Sequence, residues 1–122
     1  VFKERFDFMY SNEEKAIKLV VKAFENKKRI KEDIDLSFHS ITVGFMLKDI
    51  GCDETTVISG LLHDIIEDTV VSKTILLELG FPNNIVEAIE ILTRNTDDYD
   101  EYIDSIADSN NLLAIDVKMK DL

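Results

Sequence analysis

The residues Gly60-Leu61-Leu62-His63-Asp64-Ile65-Ile66-Glu67-Asp68-Thr69 bring one imidazole and three carboxylates into a short stretch. These groups can ligate a divalent cation or carry protons. On a helix, residues three or four apart share a face. His63 to Glu67 is four, Asp64 to Asp68 is four and Asp64 to Glu67 is three. Carboxylates crowded in this way repel and raise one another's pKa, and a bound cation removes that penalty. A solvated acidic helix end would carry the same residues, and it is a common feature in a chain with 25 Asp and Glu against 14 Lys and Arg. Residue types leave both readings open.

Two further groups could join a site here. His39 stands four residues before Val43, at the start of an apolar stripe. A histidine in that setting is usually a satisfied core residue, but the chain has only 2 histidines and His63 is the other. Asp121 stands four residues after Val117 and extends an apolar stripe, where a carboxylate needs a partner or a metal unless the last turn is solvated. The basic run Lys27-Lys28-Arg29-Ile30-Lys31 is a local exception in an acidic chain. It either complements a helix dipole at its C-terminal end or forms a phosphate-binding cluster.

Elements to position these residues can be read from caps and periodicity. Residues 1 to 10 form a lead-in. Ser11 with Glu14 fits a capping box for a helix from Asn12, with Ala16, Ile17, Val20, Val21 and Phe24 as its stripe. Ser37 is the expected cap of the next helix, with Val43, Met46, Leu47 and Ile50 inward and Gly51 as terminator. Asp53 is the expected N-cap of the helix that carries the acidic cluster through to Thr69. Ser72 to Leu79 predicts a short helix closed by Gly80. Pro82 opens another near Asn83, with Ile85, Val86, Ile89 and Leu92 inward. Asn95 to Asp100 is a loop. Tyr99, Tyr102, Ile103 and Ile106 support a helix, and Asn110 or Asn111 caps the last one. The architecture expected is all-α: one compact helical bundle of six or seven helices over residues 1–122.

Composition narrows the partners. A net charge of −11 argues against nucleic acid and an anionic membrane surface. It does not exclude a small phosphate ester, whose charge bound metal and a few local cations can offset. The single Cys52 cannot form an intramolecular disulfide, no apolar run reaches membrane-span length, and charges interrupt the first ten residues, so a cytoplasmic protein is expected.

The order His39, His63-Asp64, Asp121 resembles the H…HD…D pattern of the HD-domain metal-dependent phosphohydrolases. His63-Asp64-Ile65-Ile66-Glu67-Asp68-Thr69 is similar to the narrower HDxxEDT motif of the RelA/SpoT-type ppGpp hydrolases and their small stand-alone relatives. Arg29 to His39, Leu92-Thr93-Arg94, Tyr99 to Ala107, and Val117-Lys118-Met119-Lys120-Asp121-Leu122 also resemble segments of that family. The resemblance implies one divalent metal ion, usually Mn2+, held by His39, His63, Asp64 and Asp121. The family's final Asp follows the Lys of its VK pair by three residues, which selects Asp121 rather than Asp116. Glu67 and Asp68 would be the acid/base pair. Arg29 would contact substrate, with Lys28 beside it. The implied substrate is a small-molecule nucleotide, a guanosine 3'-pyrophosphate. The same site acting on another nucleotide or phosphoester, and a regulatory nucleotide-binding module, are the alternatives. The chain departs from the family where Asp35-Leu36 replaces a Pro-Tyr pair and Ser40 replaces a Pro. It stops before an Asn that helps bind substrate, so a chain trimmed at its C-terminus is expected.

Overall fold

The computed structural model describes residues 11–25 and 36–121. They form α1 (Asn12–Ala23), α2 (Leu36–Asp49), α3 (Glu54–Leu62), the single turn α4 (Ile65–Asp68), α5 (Lys73–Glu78), α6 (Asn83–Leu92), α7 (Tyr99–Asp108) and α8 (Leu112–Asp121). The fold is all-α, and no strand occurs among the described residues. No helix among them is long and apolar enough to cross a membrane. The lead-in, Lys28 and Arg29 lie outside the described residues.

Side-chain oxygens set most helix starts. The backbone N–H groups of Glu14, Thr56, Ile75, Glu101 and Ala114 donate to Ser11, Asp53, Ser72, Asp98 and Asn111 respectively, at 2.9–3.3 Å. Each bond satisfies an amide that the first helical turn leaves unpaired. Gly51 and Gly80 close α2 and α5 with φ of 86° and 90°, a left-handed geometry open to glycine at little cost.

Helix α3 is the central element and packs against α1, α2, α6 and α8. Every residue from Thr56 to Leu62 is buried, as expected for a helix surrounded on all sides. Its apolar residues join Ala16, Val20 and Phe24 of α1, Val43 and Leu47 of α2, and Ile85, Val86 and Ile89 of α6 in one core cluster. A second cluster joins Leu92 to Tyr102, Ile106, Ala114 and Val117, and Leu113 packs against both.

Two expectations are corrected. Ser37 does not cap α2, since the helix starts at Leu36 and Ser37 is buried within its first turn. The inward face of α2 is also rotated: Val43 and Leu47 are buried, but Met46 and Ile50 are 41% and 60% exposed. The buried face is Ser37, Ser40, Val43, Gly44 and Leu47. Small residues occupy it because α3 approaches closely. A Cβ on Gly44 would stand 2.3 Å from Leu61 Cδ2, and one on Gly60 would stand 2.3 Å from Leu47 Cδ1. Each leucine thus fills the space that the opposing glycine leaves.

A third correction concerns the acidic stretch. It is not one continuous helix. The α3 helix ends at Leu62, His63 and Asp64 form a turn, and α4 restarts at Ile65. Asp64 has φ −102° and ψ 0°. His63 Nδ1 lies 2.6 Å from the Gly60 carbonyl, the acceptor that an uninterrupted helix would offer to the Asp64 amide.

Candidate metal centre

The break in the helix gives the site its shape. Adjacent residues on a straight helix point about 100° apart, yet here His63 Nε2 and Asp64 Oδ2 approach to 3.1 Å. The first turn of α2 supplies His39, whose Nε2 lies 3.8 Å from Asp64 Oδ2. The last residue of α8 supplies Asp121. Its Oδ1 lies 3.5 Å from His39 Nε2 and its Oδ2 lies 3.6 Å from His63 Nε2. The two imidazole rings meet edge-on, with centroids 5.6 Å apart. Ligand atoms of His39, His63 and Asp64 lie within 4.8 Å of one another, and Asp121, from a third segment, borders this group through one oxygen on each imidazole.

These separations suit a shared ion. Ligand atoms about 2.1 Å from one cation, at tetrahedral or octahedral angles, stand roughly 3.0–3.4 Å apart. The protonation pattern agrees. The Gly60 carbonyl can only accept, so His63 Nδ1 carries a hydrogen and Nε2 is the ring nitrogen turned toward the site. His63 is 4% exposed, and its Nε2 is buried with no hydrogen-bond partner among the described residues. A lone pair facing carboxylate oxygens is satisfied by a cation or by a proton.

Titration reflects this crowding. Burial pushes the His63 imidazole down, but the Asp64 carboxylate, the Gly60 carbonyl and the Asp121 charge outweigh it and raise the pKa overall. The His39 imidazole beside Asp121 lowers that carboxyl to about 2, against the opposing effect of burial and with help from His63 and Lys118. Lys118 sits one turn earlier on α8, 3.6 Å from Asp121 Oδ2 and 5.2 Å from the centroid of the Tyr102 ring. Tyr102 in turn donates its hydroxyl to the Leu92 carbonyl at 2.5 Å. Burial, then the nearby Glu67, Asp64 and Asp121 charges, raise the Tyr102 pKa to about 12. Asp116 faces elsewhere, pairing with Lys120 and lining a groove with Asp53 and Asn84.

One turn beyond the His-Asp pair, the exposed Glu67 and Asp68 form a second group with Asp64, their carboxylate oxygens all within 4.8 Å. Partial burial raises the Glu67 pKa; the Arg94 backbone N–H opposes this, and the Asp68 and Asp64 charges reinforce it. That N–H donates to Glu67 Oε1 at 2.9 Å across 27 residues of sequence. Sequence reasoning did not name Arg94 as a site residue, and no local pattern could have shown a bond of that separation. Lys118 was also missed, although its i,i+3 spacing to Asp121 was a usable signal.

Together these features define an all-helical protein with a His/Asp cluster able to hold one divalent cation. The HD domain family model matches residues 36–118, about two-thirds of the chain, and the chain belongs to the HD domain family. The matched region contains His39, His63, Asp64, Glu67 and Asp68 and ends three residues before Asp121. HD domains are in general those of metal-dependent phosphohydrolases. No curated protein matches the chain.

Proposed function

We propose that this HD domain is a phosphohydrolase of the ppGpp 3'-pyrophosphohydrolase type, with Mn2+ held by His39, His63, Asp64 and Asp121. The observation that carries the metal assignment is the buried Nε2 of His63, directed among carboxylate oxygens without a hydrogen-bond partner among the described residues. The substrate class is supported by the sequence from His63 to Thr69 and by the VKxxDL-like segment that ends the chain. A bound divalent ion supplies Lewis acidity and makes water a nucleophile near neutral pH.

The chain's own groups do the rest. His63 is fixed by the Gly60 carbonyl, so its tautomer and ring orientation are preset. His39, helped by His63 and by Lys118 at 3.6 Å from the second oxygen, keeps the Asp121 carboxyl ionised. Glu67 has a raised pKa and a neighbouring carboxylate, which suits the member of an acid/base pair that retains and passes a proton. Asp68 is its partner. In the reaction, the oxygen of water bonds to the phosphorus on the 3' oxygen and the P–O3' bond breaks. The 3' oxygen gains a proton, giving GDP and pyrophosphate. Arg29 and Lys28 are proposed to bind the substrate's phosphates. A nucleotide substrate and a lone cysteine fit a cytoplasmic setting.

The test is hydrolysis of ppGpp by the purified protein with Mn2+, read as pyrophosphate release. Turnover of a nucleoside monophosphate with ppGpp left intact would overturn the substrate assignment. Binding of nucleotide with no phosphate or pyrophosphate released would overturn the enzyme assignment.

A further inference from the structure

The carboxylate of Glu67 is held from a distance. The backbone N–H that donates to it, that of Arg94, belongs to the turn that joins α6 to α7. Both ends of that turn are pinned. Thr93 Oγ1 donates to the Ile89 carbonyl at 2.8 Å, and the Tyr102 hydroxyl donates to the Leu92 carbonyl. At the far end Asp98 caps α7. Between the two ends, the guanidinium of Arg94 folds back on its own loop. Nε donates to the Thr96 carbonyl at 2.8 Å and Nη2 to the Asp97 carbonyl at 2.7 Å, with the group 5.7 Å from the centroid of the Tyr99 ring. Glu67 and residues 94–97 line a cleft of about 570 Å³.

An arginine beside an acidic cluster ordinarily pairs with a carboxylate or a phosphate. Arg94 instead uses two of its five N–H donors on carbonyls two and three residues ahead. Those bonds order the loop backbone and leave the Arg94 amide aimed at Glu67. We propose that Arg94 is a positioning residue: its side chain staples the 94–97 turn so that its backbone N–H sets the direction of the Glu67 carboxylate. The inference rests on the acid/base role given to Glu67 above. Alanine at this position keeps the amide but loses the staple. Lysine keeps the charge but cannot reproduce a planar two-carbonyl fork.

The first test needs no substrate. Amide hydrogen exchange at residue 94, read by NMR, should be slow in the wild-type protein. It should be at least roughly tenfold faster in Arg94→Ala, Arg94→Lys and Glu67→Ala, with the buried α6 amides of Val86 and Ile89 unchanged as a control for folding. Unchanged protection at residue 94 in Arg94→Ala and Arg94→Lys would overturn the proposal. The second test uses ppGpp with Mn2+. Arg94→Ala should lower kcat by about a hundredfold, the scale of a displaced reacting group, with KM little changed. In a Glu67→Gln background the same change should cost less than about threefold, because the group it positions no longer transfers protons. A raised KM at constant kcat, or a full multiplicative loss in that background, would overturn it. If the wild-type protein leaves ppGpp intact, the substrate assignment fails, and the exchange measurement still decides the role of Arg94.

Discussion

Removing and restoring the metal gives the sharpest test of the centre. The buried His63 Nε2 faces Asp64 and Asp121 oxygens at 3.1 and 3.6 Å, where a shared cation would sit. A ligand that binds only the folded state, at a hundred times its Kd, stabilises that state by about 2.7 kcal/mol. For a chain of 122 residues each kcal/mol moves the unfolding midpoint by about 3–5 °C, so the expected rise is about 10 °C. The assay is thermal unfolding after EDTA treatment, with Mn2+ then added back. Asp64→Ala and Asp121→Asn should abolish most of the rise. Asp116→Asn should keep it, because Asp116 pairs with Lys120 away from the site. A midpoint that does not respond to Mn2+, or that rises equally in Asp64→Ala, would refute the assignment of these side chains as ligands.

Other expectations concern proton transfer, pH and packing. Glu67→Gln should keep the Mn2+-dependent rise in midpoint and lower kcat by roughly a hundred- to ten-thousandfold on ppGpp; a variant at full rate would remove Glu67 from the chemistry. In the apoprotein, the depressed Asp121 stabilises the fold above its unfolded value of 3.8, and that contribution is lost as pH falls through about 2. The raised His63 acts in the opposite direction: its contribution is complete below its unfolded value of 6.5 and is lost as pH rises through the folded value. Metal must displace the His63 proton, so the EDTA-treated midpoint should fall above pH 6.5 while the Mn2+-induced rise grows over the same interval, and a pH-independent rise would contradict this. Gly44→Ala should destabilise the fold, since its Cβ would meet both Leu61 Cδ2 and Cγ, at 2.3 and 2.5 Å. Overpacking of about 1–3 kcal/mol, less about 1 kcal/mol of helix propensity, leaves a net loss measurable by urea unfolding, and equal or greater stability would show that Leu61 can move aside.

Much of the fold was legible locally. Ser11, Asp53, Ser72 and Asn111 act as caps, and Gly51 and Gly80 act as terminators, because capping depends on a few neighbouring atoms. The cores of α6 and α7 follow their apolar periodicity, with Ile85, Val86, Ile89, Leu92, Tyr102 and Ile106 buried. The inward face of α2 was misread because Ser37, Ser40 and Gly44 have little apolar character. The burial of Gly44 is set by the close approach of Leu61 on α3, which is a property of the pair of helices. The straight helix through Thr69 was misread for a related reason: its apolar spacing continues past His63, but the His63 side chain takes a carbonyl from the helix ladder.

The site divides in the same way. Sequence alone determined the residue types and their order: His39, the His63-Asp64 pair with Glu67 and Asp68 close behind, and Asp121 near the end of the chain. The family resemblance ranked Asp121 above Asp116 by its distance from the Lys of the VK pair, and the stripe through Val117 agreed. Tertiary structure decided what those residues share. The packing of α2 and α8 around α3 brings two imidazoles and two aspartates from three segments to within 3.1–3.8 Å of their neighbours, and the α6–α7 turn delivers the Arg94 amide to Glu67. Spacing along a chain encodes neighbours within a turn or two, whereas convergence across 27 to 82 residues depends on which helices bury one another's faces.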